Sequence, residues 1–224
     1  ALGINVDCAP LLDLRLPRAH DIIGDRSFGA DPALVARLGR AACDGFLASG
    51  VVPVVKHIPG HGRARVDSHE SLPVVETPLE TLRREDFAPF AALSEMPMAM
   101  TAHIVYTAID PDRPATTSPT VVEGTIRGEI GFDGLLMSDD LCMKALSGSL
   151  AERTDAVVAA GCDVVLHCNG DLDEMRLVAE RCPALSESGR RRLDGALTMV
   201  RDAAPGDSTG LHAELDEIFA KIDG

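Results

Sequence analysis

Apolar residues fall into two kinds of run that alternate along this chain. Short unbroken runs over residues 4–9, 51–55, 98–102, 135–138 and 163–167 have the length and continuity of strands buried on both faces. Between them lie longer stretches with helical spacing. Residues 31–48 are amphipathic, and Thr77, Pro78 and Glu80 supply an N-cap, a first-turn proline and a capping-box acid for a helix running towards Ala92. Ser118 and Pro119 repeat that opening. Ser149 with Glu152, and Asp171 with Glu174, place the same cap-and-acid signature before two further helices.

Continuous apolar strands alternating with helices predict a parallel sheet covered by helices, either an open doubly wound sheet or a closed eightfold barrel. Polar residues choose between them. Lys56 and His57 follow the second strand, His103 the third, Ser138, Asp139 and Asp140 the fourth, and His167 and Asn169 the fifth. Reactive side chains at the carboxyl ends of several strands are the layout of a (β/α)8 TIM barrel, whereas no GxGxxG turn follows an early strand. The expected fold is therefore α/β, a TIM barrel represented by five of its eight units. Residues 1–185 form the partial barrel and residues 186–224 a C-terminal helical extension of the same domain, with residues 203–209 as the loop between its helices. The first residue is Ala rather than Met and a strand begins almost at once, so part of a longer protein is expected.

Composition narrows the function classes. With 46% hydrophobic and 25% charged residues the chain is globular. It carries 21 basic against 35 acidic residues, a formal charge of −14, and no basic stripe, which disfavours nucleic acid as a partner. No run reaches the roughly 18 apolar residues of a membrane span, and the N-terminus lacks a leader pattern. Six scattered cysteines without CxxC fit reduced thiols in a cytoplasmic protein.

Two constellations carry candidate chemistry. The first is Lys56-His57-Ile58-Pro59-Gly60-His61-Gly62 with Asp67-Ser68-His69, on a connection of about 20 residues where two to six are usual. Gly60 and Gly62 would let the tip swing over a site. Asp67 could orient His69 and favour its imidazolium, which suits a proton donor near neutrality; a solvated turn cap is an equal reading. The second is Ser138-Asp139-Asp140. Neighbouring strand residues face opposite ways, so one acid is expected to enter the lumen, where it could act as a nucleophile, and the other to serve structure. Capping of the next loop is the plain alternative. His57, His61, His69, His103 and an Asp could instead hold a metal, but their spacing matches no zinc signature. His103 reads equally as a core histidine. Lys56, costly to bury unpaired, should meet a carboxylate or ligand hydroxyls.

KHIPGHG, DSH and GFDGLLMSDDL, followed in order by matches through ALGINVDCAPLLDL, IGDRSF, MTAHIVY, RPATTS and AGCDVVLHCN, resemble the family 3 glycoside hydrolases, in their bacterial NagZ-type β-N-acetylhexosaminidase branch. That resemblance implies a cytoplasmic, monomeric enzyme without cofactor or metal. It would remove terminal N-acetylglucosamine from anhydro-N-acetylmuramic acid (peptide) fragments in peptidoglycan recycling, with retention. Asp139 would be the nucleophile, forming a glycosyl ester; His69, paired with Asp67, the acid/base; Arg26, Lys56 and His57 would hold the sugar. Asp140 receives no role.

Cys142 stands where the family often has serine. The five units would be the last five, with three upstream units absent, and a chain with such open sheet edges is expected to have little or no activity alone. Alternatives are a phosphorylase of the same family, since a histidine donor does not repel phosphate, a metal-dependent barrel hydrolase, and an inactive sugar-binding fragment.

Overall fold

The computed structural model describes residues 3–17, 20–201 and 208–222. Its strands are β1 (Val6–Asp7), β2 (Val52–Ile58), β3 (Val74–Val75), β4 (Met98–Thr101), β5 (Val105–Tyr106), β6 (Leu135–Asp140) and β7 (Val164–Leu166). Helices are α1 (Pro32–Ala48), α2 (Leu79–Arg84), α3 (Ala88–Ala92), a π-helix (Thr120–Glu129), α4 (Leu150–Ala160), α5 (Leu172–Arg181), α6 (Glu187–Arg201) and α7 (Ser208–Ile222). The predicted loop 203–209 lies mostly outside the described residues; α7 begins at Ser208.

Five strands form one parallel sheet in the order β1-β2-β4-β6-β7, and β3 pairs with β5 as a separate parallel ribbon. Chain order and spatial order never reverse. A doubly wound sheet must reverse at its switch point, so this progression is the winding of a barrel, here an open arc of five strands. The edges are short: β1 has two residues and β7 three.

Period-two alternation sorts the side chains. Val52, Val54, Met98, Met100, Leu135 and Met137 form one cluster on the concave face, while Val55, Ala99 and Leu136 join the larger cluster beneath the helices. Each fully buried aliphatic side chain contributes roughly 1.5–3 kcal/mol. Ala196 of α6, with Leu193 and Val200 beside it, packs into the concave cluster, and α6 runs past Met96, Pro97 and Gly134 at the amino ends of β4 and β6. The carboxyl ends lie opposite, away from that helix.

Side chains cap several helix starts. Asp31 Oδ1 accepts from Leu34 N (2.8 Å), Ser149 and Glu152 make a reciprocal capping box, and Ser118 Oγ accepts from Val121 N (3.1 Å). Asp171 caps α5 through Asp173 N and Glu174 N, but the Glu174 carboxylate turns to Asn169 Nδ2 (2.7 Å) instead of closing a box. The helix expected from Thr77 to Ala92 begins on Pro78 without a side-chain cap and is split into α2 and α3. Pro89 causes the split: it has no N–H for a bond to Glu85 and its ring would clash with that carbonyl in a continuous helix. The break has a use, since it turns Asp86 towards Arg63.

Candidate active site

Strand alternation continues from Leu135 and Met137 to Asp139, which therefore enters the concave side at the carboxyl end of β6. Its residue is 6% exposed, and Oδ1 accepts from Asp140 N (2.8 Å). Asp140 is engaged differently: Oδ1 accepts from the backbone N–H groups of Cys142 (3.0 Å) and Cys168 (3.3 Å), tying the ends of β6 and β7 together. Those bonds hold its carboxyl below the ordinary range even though burial pushes the other way.

Lys56 and His57 lie within β2 rather than after it, because the strand runs on to Ile58. The ladder to β4 skips His57, with Lys56 opposite Met100 and Ile58 opposite Thr101, and the Lys56–His57 peptide is cis. A residue that sequence reasoning passed over, Asp13, organises this strand end. It is fully buried, accepts from His57 N (3.1 Å) and His61 N (2.7 Å), and lies 2.7 Å from His57 Nδ1. Burial alone would raise its carboxyl; the charge and hydrogen bonds of His57, then of His61, outweigh it and leave the group lowered. With Nδ1–H given to Asp13, the other ring nitrogen of His57 is left facing Asp139 Oδ2 at 4.0 Å. The available signal was an acid inside the apolar run Leu11-Leu12-Asp13-Leu14, a position that must be paired when buried.

The following loop is pinned at its base. Gly60 has φ +138°, a region other residues avoid, and its carbonyl accepts from Tyr106 Oη (2.5 Å). Gly62 does something other than the hinging expected of it: a Cβ there would sit 2.2 Å from the Leu14 carbonyl oxygen, so it is a point of close backbone approach. Arg63 Nε donates to Asp86 (2.6 Å) and its guanidinium also meets Glu85. Burial pushes the Asp86 carboxyl up to about 6 despite that arginine. His61 is pushed down to about 4 by burial and by neighbouring His57.

The loop's tip is open. His69 is 57% exposed in its side chain, and Asp67 Oδ1 accepts from its backbone N–H (2.8 Å) and faces its Nδ1 (2.8 Å). The bonds from His69 hold Asp67 below the ordinary carboxylate range against a small desolvation cost.

Arg26, Lys56, His57, His69 and Asp139 all line one cavity of about 260 Å³, together with His61 and Ser68. Asp67 stands behind His69 as its partner. Lys56 makes no ion pair among the described residues. A larger hollow of about 600 Å³, lined by Leu16, Arg63, Val75, Glu76 and Pro78, contains none of the sequence-predicted site residues. His103 is a satisfied core histidine: fully buried, with Nδ1 at 2.8 Å from Thr116 Oγ1 and Nε2 at 3.0 Å from the Asp140 carbonyl. Among the described residues, His57, His61, His69 and His103 do not converge into a ligand set.

The model of the glycosyl hydrolase family 3 N-terminal domain matches residues 1–201. The β-hexosaminidase of Bordetella avium is 39% identical over 173 residues, 75% of this chain and 49% of its own length. That of Pseudomonas aeruginosa is 41% identical over 172 residues, 75% of this chain and 51% of its own. Among solved structures, NagZ from Neisseria gonorrhoeae in complex with N-trifluoroacetyl-D-glucosamine superposes with a TM-score of 0.79 at 33% identity, covering 94% of this chain and 62% of that one. A family 3 β-N-acetylglucosaminidase from Paenibacillus gives 0.77 at 38%, covering 90% of this chain and 40% of that one. The chain thus spans about half the length of the β-hexosaminidases it matches. Its arc of barrel strands and its ordered motifs agree with these matches, and the chain belongs to glycosyl hydrolase family 3.

Proposed function

We propose that this chain carries the catalytic groups of a retaining exo-β-N-acetylglucosaminidase. The supporting observation is that a buried carboxylate, Asp139, and an imidazole backed by a carboxylate, His69 with Asp67, line one cavity. Because Asp67 takes the Nδ1 side of His69, the transferable proton sits on Nε2. Asp139 attacks the anomeric carbon as the glycosidic bond breaks, and His69 gives that proton to the departing oxygen. The product is a glycosyl ester and a free alcohol. Neutral His69 then takes a proton from water, whose oxygen attacks the same carbon and restores Asp139, so configuration is retained over two inversions. The Asp139 charge also stabilises the oxocarbenium-like transition state in a partly desolvated pocket.

Arg26, Lys56 and His57 are read as the groups that hold sugar hydroxyls. The N-trifluoroacetyl-D-glucosamine bound by the gonococcal NagZ supports an N-acetylglucosamine-type substrate. The finer reading is release of terminal N-acetylglucosamine from anhydro-N-acetylmuramic acid (peptide) fragments during peptidoglycan recycling, in the cytoplasm. Six cysteines free of disulfides suit a reducing compartment. All named groups belong to one chain, so a monomer suffices; residues 1–185 carry the site and 186–224 buttress the same domain.

The test is mass-spectrometric mapping of the adduct left by a fluorinated N-acetylglucosamine analogue, on a protein of the relatives' full length. An ester on Asp139 with initial release of the β-anomer is expected. Labelling of another residue, or inversion, would overturn the reading.

A further inference from the structure

The carboxyl ends of β6 and β7 bring together side chains that the glycosidase mechanism does not use. Asp140, Cys142 and His167 offer one ligand atom each, all within 4.8 Å of one another. Cys142 Sγ lies 3.2 Å from His167 Nδ1. Around tetrahedral zinc, bond lengths of about 2.3 Å to sulfur and 2.0–2.1 Å to nitrogen set an S···N edge of roughly 3.5 Å, so a shift of a few tenths of an ångström admits the ion.

We propose that Asp140, Cys142 and His167 bind one zinc-class divalent cation at the rim of the candidate active site, with the fourth tetrahedral position left to water. The surroundings resemble those of built metal sites. Asp140 is fixed by backbone N–H groups from both strand ends, which leaves its second oxygen for a ligand. The His167 side chain is only 4% exposed, and its far nitrogen lies 3.1 Å from Glu174 Oε2, in contact but not aligned as a hydrogen bond. A carboxylate behind a histidine is the usual outer partner of a metal ligand, and this one is itself held by Asn169. Entry is open, since Asp140 and Cys168 line the cavity.

A thiol, an imidazole and a carboxylate select a borderline-soft ion such as Zn²⁺ over Mg²⁺ or Ca²⁺, which want oxygen ligands. Binding displaces the Cys142 thiol proton to solvent, leaving a thiolate on the metal. Spacing along the sequence hides the site: the ligands come from two neighbouring strand ends, with no CxxC or HxxxH.

The test is independent of the glycosidase reading, because its readout is optical. The full-length protein, freed of metal by dialysis against chelator, is titrated with Co²⁺. One equivalent should bind and produce thiolate-to-cobalt charge-transfer absorption in the near ultraviolet, bleached by one equivalent of Zn²⁺. Cys142→Ser should remove much of that band, and His167→Ala should weaken binding at least about tenfold. Cys142→Ala gives a second variant should Cys142→Ser fail to fold, and Cys168→Ser, an exposed thiol outside the ligand set, should leave the band in place. No binding would overturn the proposal. So would cobalt bound without a thiolate band, as on the imidazoles and carboxylate around Asp139, or a band unchanged in the Cys142 variants.

Discussion

The wall around Asp139 and the tip around His69 face the same cavity but are built in opposite ways. Behind Asp139 stands His57, and behind that Asp13, fully buried and engaged by two backbone donors and a ring nitrogen. His69 has one partner, Asp67, and more than half of its side chain is in solvent. On the proposed mechanism the difference has a reason: an acid that attacks one carbon needs a fixed position, whereas a donor to varied leaving oxygens tolerates an exposed one. The loop is pinned at its base, where residues 60–63 are tied to Tyr106, Asp13 and Asp86, and again at buried Ser68, whose carbonyl accepts from Ala145 N, while the His69 side chain stays open to solvent.

Substitutions should separate the two regions. The largest effect is expected for Asp139→Asn in a protein of the relatives' full length: turnover of a chromogenic N-acetylglucosaminide should fall by at least about 10³-fold with the fold retained by circular dichroism. Residual turnover near the parent rate would remove Asp139 from the mechanism. Next comes Asp13→Ala, which orphans His57 and His61 in the interior; urea unfolding should register a loss of about 3–5 kcal/mol. A change below about 1 kcal/mol would show that the wall does not depend on it.

His69→Ala should split by substrate. Glycosides with poor leaving groups should slow by about 10²–10³-fold and activated aryl glycosides far less, with stability within about 0.5 kcal/mol of the parent. Equal losses on both substrates would merge the two regions into one rigid machine.

Acid titration gives a smaller contrast within the wall. His61 has a folded pKa of about 4, below its unfolded value, so its contribution is present above pH 6.5 and lost as pH falls towards 4. Asp86, at about 6 and above its unfolded value, acts with the opposite sign: it favours the fold below pH 3.8, and that contribution is lost as pH rises through 6. Each amounts to on the order of 3 kcal/mol. Between pH 7 and 4, His61→Gln should therefore lose less stability than the parent and Asp86→Asn more. Parallel curves for both variants would contradict the assignment of these groups.

Much of this layout was legible in the residues. Unbroken apolar strands and capped helices specify a parallel arc; alternation says that one of Asp139 and Asp140 enters the lumen, and the family resemblance names Asp139. What the sequence hides depends on distance in space. Asp13 acts on residues 44 and 48 positions away; its apolar neighbours mark it as an acid to be paired, but nothing local names the partners. The split of the helix after Thr77 turned on Pro89, placed where a capping signal had already set the expectation. Gly62 reads as a hinge until Leu14 is seen against it.

Tyr106, whose hydroxyl holds the Gly60 carbonyl, is the chain's one tyrosine, and the chain has no tryptophan. Emission excited beyond the phenylalanine absorption band thus comes from a single phenol, seated at the root of the loop that carries His69. Detachment of that root could be followed in real time, without labels, as a change in the lifetime of one phenol.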